Sequence, residues 1–150
     1  MFKLIKILNS PTGIPDYKMV NTEVTEKYYI GCALTLAEGA AVHCASGSTM
    51  PQYIAAEQLV SPNGELLRVF PVTPDMVFEV AVTTAPDEIY PGVRVNMAEY
   101  IKNVYSLVSG TPAENGIAVV YDACGAEKKG DKIQIRFVAP PAAASTGSNV

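Results

Sequence analysis

The sequence predicts an all-β protein: a small β-barrel or β-sandwich of short strands, with an extended N-terminal arm and a flexible C-terminal tail. Three observations predict it. Short segments rich in β-branched and aromatic residues recur at a spacing of about 8–12 residues. Clusters of Gly, Pro, Asn and Asp separate them. Apolar residues make up 49% of the 150 residues, enough for a packed core in a domain of ordinary size.

Taken in order, residues 2–8, FKLIKIL, partly alternate and run into NSPTGIPD. Each proline there holds the preceding residue in extended space. The opening segment is expected to be either an arm that pairs with a neighbour or the first strand of the body, and residues 1–22 are taken as arm and connector. The β domain is expected over 23–138. EVTEKYYIG (23–31), ALTLAEG (33–39) and the AAVHC stretch that follows have strand composition. STMPQYIAAEQLV (48–60) holds helix formers between turn-rich flanks, and a short strand is expected. SPNG (61–64) carries Asn-Gly, a hairpin signal. ELLRVFPV (65–72) returns from it, and Pro71 marks an edge or a bend.

DMVFEVAVTT (75–84) alternates cleanly and puts Met76, Phe78, Val80 and Val82 on one side. PDEIYPGVRVNM (86–97) has a Pro-Gly turn before Val93 and Val95. AEYIKNVYSLV (98–108) reads as a helical turn leading into a strand, and SGTPAENG (109–116) as a loop. IAVVYDAC (117–124) reads as a strand, GAEKKGDK (125–132) as a turn, and IQIRFVA as a strand with Ile133, Ile135 and Phe137 inward. Residues 139–150 hold no charge and no large apolar side chain before Val150. They are expected to form the flexible tail.

Charge narrows the function classes. Charged residues are 17% of the chain, the net charge is −4, and no basic run exceeds Lys128–Lys129. Neutralising a row of phosphates needs several cations on one face, so nucleic acid is not an expected partner. The apolar opening is too short for a secretory leader and Lys6 interrupts it. No stretch approaches the length of a membrane span. A soluble protein made in the cytosol, with no membrane partner, is expected.

Few residues could do chemistry. The chain's one histidine, His43, stands beside Cys44. A cysteine nucleophile needs its base within hydrogen-bond reach, but neighbours in a strand point to opposite faces. Cys44 is therefore expected in the core with Val42, and His43 at the surface or a subunit contact. Cys32, Cys44 and Cys124 are an odd set at spacings that match neither a disulfide framework nor a zinc site. Reduced thiols and no metal are expected. Asp75 and Glu79 share a strand face about 13 Å apart, beyond the reach of a glycosidase pair. Asp87 and Glu88 lie in a turn. There is no GxGxxG, GxxxxGK[ST] or GxSxG motif, so no cofactor is expected. Eight tyrosines, among them Tyr28, Tyr29, Tyr53, Tyr90, Tyr100 and Tyr105, suit a sugar-stacking or subunit-contact surface, or half-buried sheet edges. The chain is expected to bind rather than to catalyse.

YYIGCALTLAEGAAVHCASGSTMPQYIAAEQ resembles the opening of small tailed-bacteriophage head decoration (capsid cement) proteins. FPVTPDMVFEV and GDKIQIRF resemble that family's central and last strands. The resemblance spans residues 23–137, while residues 1–22, 138–150 and the length of 96–116 depart from it. It implies an all-β, non-enzymatic protein on the outside of a capsid, bracing major capsid proteins as a trimer or as monomers at local symmetry axes. No catalytic residues carry over. An apolar arm fits that role by adding a strand to a neighbour's sheet, with Phe2, Leu4, Ile5, Ile7 and Leu8 as the partner-binding candidates. The alternatives are a β-sandwich module that binds carbohydrate or a host surface, and another virion part such as a tail-tube or head-completion protein.

Overall fold

The computed structural model describes residues 1–10, 12–23, 25–60 and 64–141, and all of its regular structure is β. The first six strands are β1 (Lys3–Ile7), β2 (Lys18–Thr22), β3 (Ala33–Ala37), β4 (Ala40–His43), β5 (Tyr53–Ala55) and β6 (Leu67–Pro71). The remaining six are β7 (Met76–Ala81), β8 (Arg94–Val95), β9 (Met97–Ile101), β10 (Val104–Val108), β11 (Ala118–Asp122) and β12 (Lys132–Phe137).

Two layers result. Strands β2, β4, β3, β5 and β6, in that order, close into a small barrel; a second, five-stranded sheet runs β1-β7-β12-β11-β8. Every neighbouring pair is antiparallel except β2 and β4. The hairpin of β9 and β10 joins the open sheet through a bridge from Val108 to Val82.

The alternation read from β7 and β12 sets the main core. Met76, Phe78, Val80 and Val82 are buried in it together with Ile133, Ile135 and Phe137. Opposite them lie Ala33, Ile54 and Cys44, from the outer wall of the barrel. The barrel interior is a second cluster that includes Val20, Leu34, Ala41, Tyr53, Leu67 and Val69. Tyr28, which belongs to no strand, plugs it.

Residues 1–22, expected as an arm and connector, are built into both layers. β1 pairs with β7 and β2 closes the barrel against β4 and β6. The cause is Phe2, which is 2% exposed and lies edge-on to Phe137 at 5.0 Å and to Phe78 at 6.3 Å. Aromatic clusters of this geometry are worth more than their buried area alone. Of the two readings of the opening segment, the structure adopts the strand of the body.

Two further expectations are corrected. The described residues of 23–31 form no strand, only a bridge from Tyr28 to Leu59. Tyr28 is drawn into the barrel, and Gly31, at φ 79°, brings the chain so close to Phe2 that the Phe2 N–H donates to its carbonyl at 3.0 Å. Residues 98–108 form no helical turn. They continue β9, turn through Lys102 and Asn103, and return as β10. Asn103 takes φ 64°, a left-handed conformation that asparagine tolerates. The hairpin seats where the Met97 N–H reaches the Gly47 carbonyl at 2.9 Å, an approach that a Cβ at position 47 would block against Met97. Of the expected Asn-Gly turn, residues 61–63 lie outside the described residues, as do residues 142–150 of the expected tail.

If the opening segment belongs to the body, Phe2 and Ile5 should respond differently. Phe2→Ala should cost about 3–5 kcal/mol of stability. Ile5→Ala, at a side chain 37% exposed, should stay within about 0.5 kcal/mol. Urea denaturation of the two variants measures both.

Candidate functional site

The strand β4 separates the two residues that most invited a chemical reading. His43 faces the barrel side and stacks on Tyr28 with ring centroids 5.8 Å apart. Cys44 faces the other way, into the core between barrel and sheet. The strand alternation thus holds, and there is no thiol–imidazole pair. His43 is less exposed than expected: its side chain is only 9% exposed, because Tyr28 covers one face of the ring. Its Nε2 donates to the Lys27 carbonyl at 2.7 Å, and Glu26 Oε2 lies 3.8 Å away. Nδ1 is buried without a partner. Neither ring nitrogen is therefore presented as a free base.

A groove of about 430 Å³ passes His43 between the barrel rim and the tip of the β9–β10 hairpin, with Glu26, Lys27, Lys102 and Asn103 along it. Its charges are of both signs, and no cluster of metal-ligating side chains occurs among the described residues. Tyr28 holds the barrel end of this region. Its hydroxyl donates to the Ala41 carbonyl at 2.6 Å and accepts from the Glu23 N–H at 2.9 Å. Burial raises its pKa.

Two of the three thiols are inert by position. Burial pushes both Cys32 and Cys44 up to about 12. Cys124 is exposed, in a turn at φ 54°, and burial and the neighbouring Asp122 carboxylate raise it. The acids stay apart in role. Asp75 accepts from the Thr73 hydroxyl, Glu79 pairs with Lys132 at 3.5 Å, and Asp87 and Glu88 lie in a loop between β7 and β8.

The partner-binding candidates of the opening segment divide. Phe2 is enclosed; Leu4 and Ile7 are half-buried against the main core, and Leu8 is half-buried, its N–H bonded to the Asp75 carbonyl; Ile5 is the exposed one. The most exposed tyrosines, Tyr17, Tyr90 and Tyr100, stand on three separate elements: the entry to β2, the loop before β8, and β9.

An exposed apolar face lies elsewhere, on the barrel. In the ladder of β2 with β6, Lys18 opposes Val69, Met19 opposes Arg68 and Val20 opposes Leu67. Val20, Leu67 and Val69 point inward. The outward positions are therefore Tyr17, Met19 and Asn21 on the β2 side and Leu66, Arg68 and Phe70 on the β6 side. Tyr17, Met19 and Leu66 are 55%, 48% and 49% exposed, and nearby Ile14 is 70% exposed. Tyr17 lies against Phe70 at 5.3 Å, with the Arg68 guanidinium over its ring at 5.7 Å. Across β5, Ile54 opposes Phe70 and is fully buried under the open sheet. One apolar barrel wall thus runs from covered to bare, and Phe70 marks the limit of the cover. This face is hidden in the sequence because Pro11 and Pro15 give residues 9–17 the composition of a connector. The signal that could have found it is the alternation Tyr17-x-Met19 beside the apolar run Leu66–Phe70.

No family model and no curated protein matches the chain.

Two measurements check the geometry around His43. Tyr28→Phe leaves the Ala41 carbonyl and the Glu23 N–H without their partner, and should cost about 1–3 kcal/mol in urea denaturation. With thiol reagents at pH 8, exposed Cys124 should react in the folded protein, though more slowly than a free thiol because its pKa is raised. Cys32 and Cys44 should react only as the protein unfolds, because so few of their buried thiols are ionised well below a pKa of about 12.

Proposed function

We propose that this protein is a structural component of a virus particle. It binds the outer surface of a phage capsid and stabilises contacts between major capsid proteins, as the head decoration family that the sequence resembles does. The observation that carries the reading is the bare barrel wall. Tyr17 and Met19 on the β2 side and Leu66 at the entry to β6 stand about half exposed on one outer face of a closed barrel. Contiguous exposed apolar area on a soluble domain marks an interaction surface. Tyr, Met and Arg are the residues enriched at such surfaces. A wall of paired strands presents them with little conformational freedom, which lowers the entropy lost on binding. The occupant this reading assigns to the wall is the coat protein of the shell.

The carbohydrate-binding alternative gains less support, because its stacking platform would draw on tyrosines that stand on three separate elements.

Density-gradient sedimentation of native source material, with the protein followed by mass spectrometry, tests the proposal. It should travel with DNA-filled particles in many copies and be released by mild denaturant. Recovery only at the top of the gradient, as a small soluble species, overturns it.

A further inference from the structure

We infer that the bare wall is read through Arg68, and that its partner presents an apolar protein surface carrying an aspartate or glutamate opposite that residue. This rests on the proposed role for its biological setting, but not for its chemistry.

The geometry carries the argument. The barrel has two apolar stretches of outer wall. The stretch on β3 and β5 is covered by the open sheet, and Ala33 and Ile54 there have no exposure. The stretch on β2 and β6 carries Tyr17, Met19, Leu66 and Phe70 around Asn21 and Arg68, and among the described residues Tyr17, Met19 and Leu66 remain about half exposed. Large apolar side chains left exposed together on a domain mark an interaction surface, so the second stretch suits a cover supplied from outside.

Arg68 tells what that cover carries. Its side chain lies over Tyr17, and among the described residues it is in no ion pair and its guanidinium makes no hydrogen bond. Glu57 is near, but its Oε1 accepts from the Arg68 backbone N–H at 2.8 Å. Among the described residues the guanidinium thus has no partner for its donors, with Tyr17, Met19 and Phe70 around it. Covering it without a counter-charge would strand a buried cation, which is strongly unfavourable. A carboxylate accepts two parallel bonds from it. In a two-fold contact through this same wall Arg68 would face a residue of the identical wall, and the outward positions Tyr17, Met19, Asn21, Leu66, Arg68 and Phe70 hold no acid to meet it. The partner is therefore a different protein with an acid among apolar residues.

Site-specific photocross-linking in producing cells tests this. A benzophenone amino acid replaces exposed Met19, and a control replaces Glu127 in the loop between β11 and β12. The Met19 position should yield an adduct to a peptide of another protein that holds Asp or Glu among apolar residues, and the control should not. Arg68→Glu should lower that yield on the order of tenfold, with an unchanged thermal melt. Exchanging the captured acid for lysine should restore it. An adduct to a second copy of this chain, a yield no greater than the control's, or a yield unaffected by Arg68→Glu overturns the inference.

Sedimentation of both proteins separates this inference from the capsid role. Wild type at the top of the gradient with an Arg68-dependent adduct ends the capsid role and leaves the inference standing. Wild type and Arg68→Glu both travelling with particles ends the inference and leaves the capsid role standing.

Discussion

The wall that the two layers share is the constraint on which the rest of the molecule depends. Where Ala33–Leu34 of β3 meets β5, side chains on both faces are out of water: Leu34, Tyr53 and Ala55 towards the barrel interior, Ala33 and Ile54 towards the open sheet. An unpaired polar group there would lose its hydration without compensation. Small residues matter as much as apolar ones. Ala33 and Cys44 let the sheet approach the barrel, and Ala41 and Ala55 leave room inside it for Tyr28. The barrel is too narrow to hold much more. Tyr28 therefore serves as plug and as tie, filling the end with its ring while its hydroxyl bonds one strand carbonyl and one loop amide.

From that wall follows where the molecule can be sticky and where it cannot. The open sheet ends at β1, whose free edge is the obvious place for unwanted strand pairing. Lys3 and Lys6 lie on this strand, and the register breaks between Leu4 and Lys6. Charged side chains and bulges are the usual protections of a sheet edge. A closed barrel has no edge to protect. What remains is the outer face of β2 and β6, where apolar side chains are exposed on strands that belong to the closed barrel. Recognition there runs through side chains, which select a partner more narrowly than a free backbone edge does.

Much of the fold was legible because some strands sit between one core and one solvent face. β7 and β12 alternate for that reason, and Phe78, Ile135 and Phe137 fell where the period of two put them. The failures share a physical cause: tertiary contacts overrode local preference. Residues 98–103 contain good helix formers, yet Val104 is worth more as a buried contact of the barrel than Ala98 and Glu99 are as helix starters. Residues 23–31 have strand composition, but the barrel took Tyr28 as a plug. β2 was hidden behind two prolines. The candidate site was least legible. His43 drew attention by being the one residue of its kind, whereas the bare wall consists of residue types that also fill cores. Only the topology, which gives β3 and β5 a covering sheet and β2 and β6 none, separates the two uses.

The arginine on that wall is better suited to its place than a lysine would be. A guanidinium is flat and weakly hydrated, so it rests on the Tyr17 ring and keeps its in-plane donors free. Stacking fixes the side chain before a partner arrives, and less rotamer freedom is then lost on docking. A lysine ammonium is compact, strongly hydrated and mobile, and would have to shed water and order a long chain in the same step. Met19 opposes Arg68 in the ladder and offers an adaptable apolar contact beside this fixed one. A rigid cation framed by aromatic and thioether groups is the composition of an interface centre, with the charge supplying selectivity and the apolar frame supplying most of the affinity.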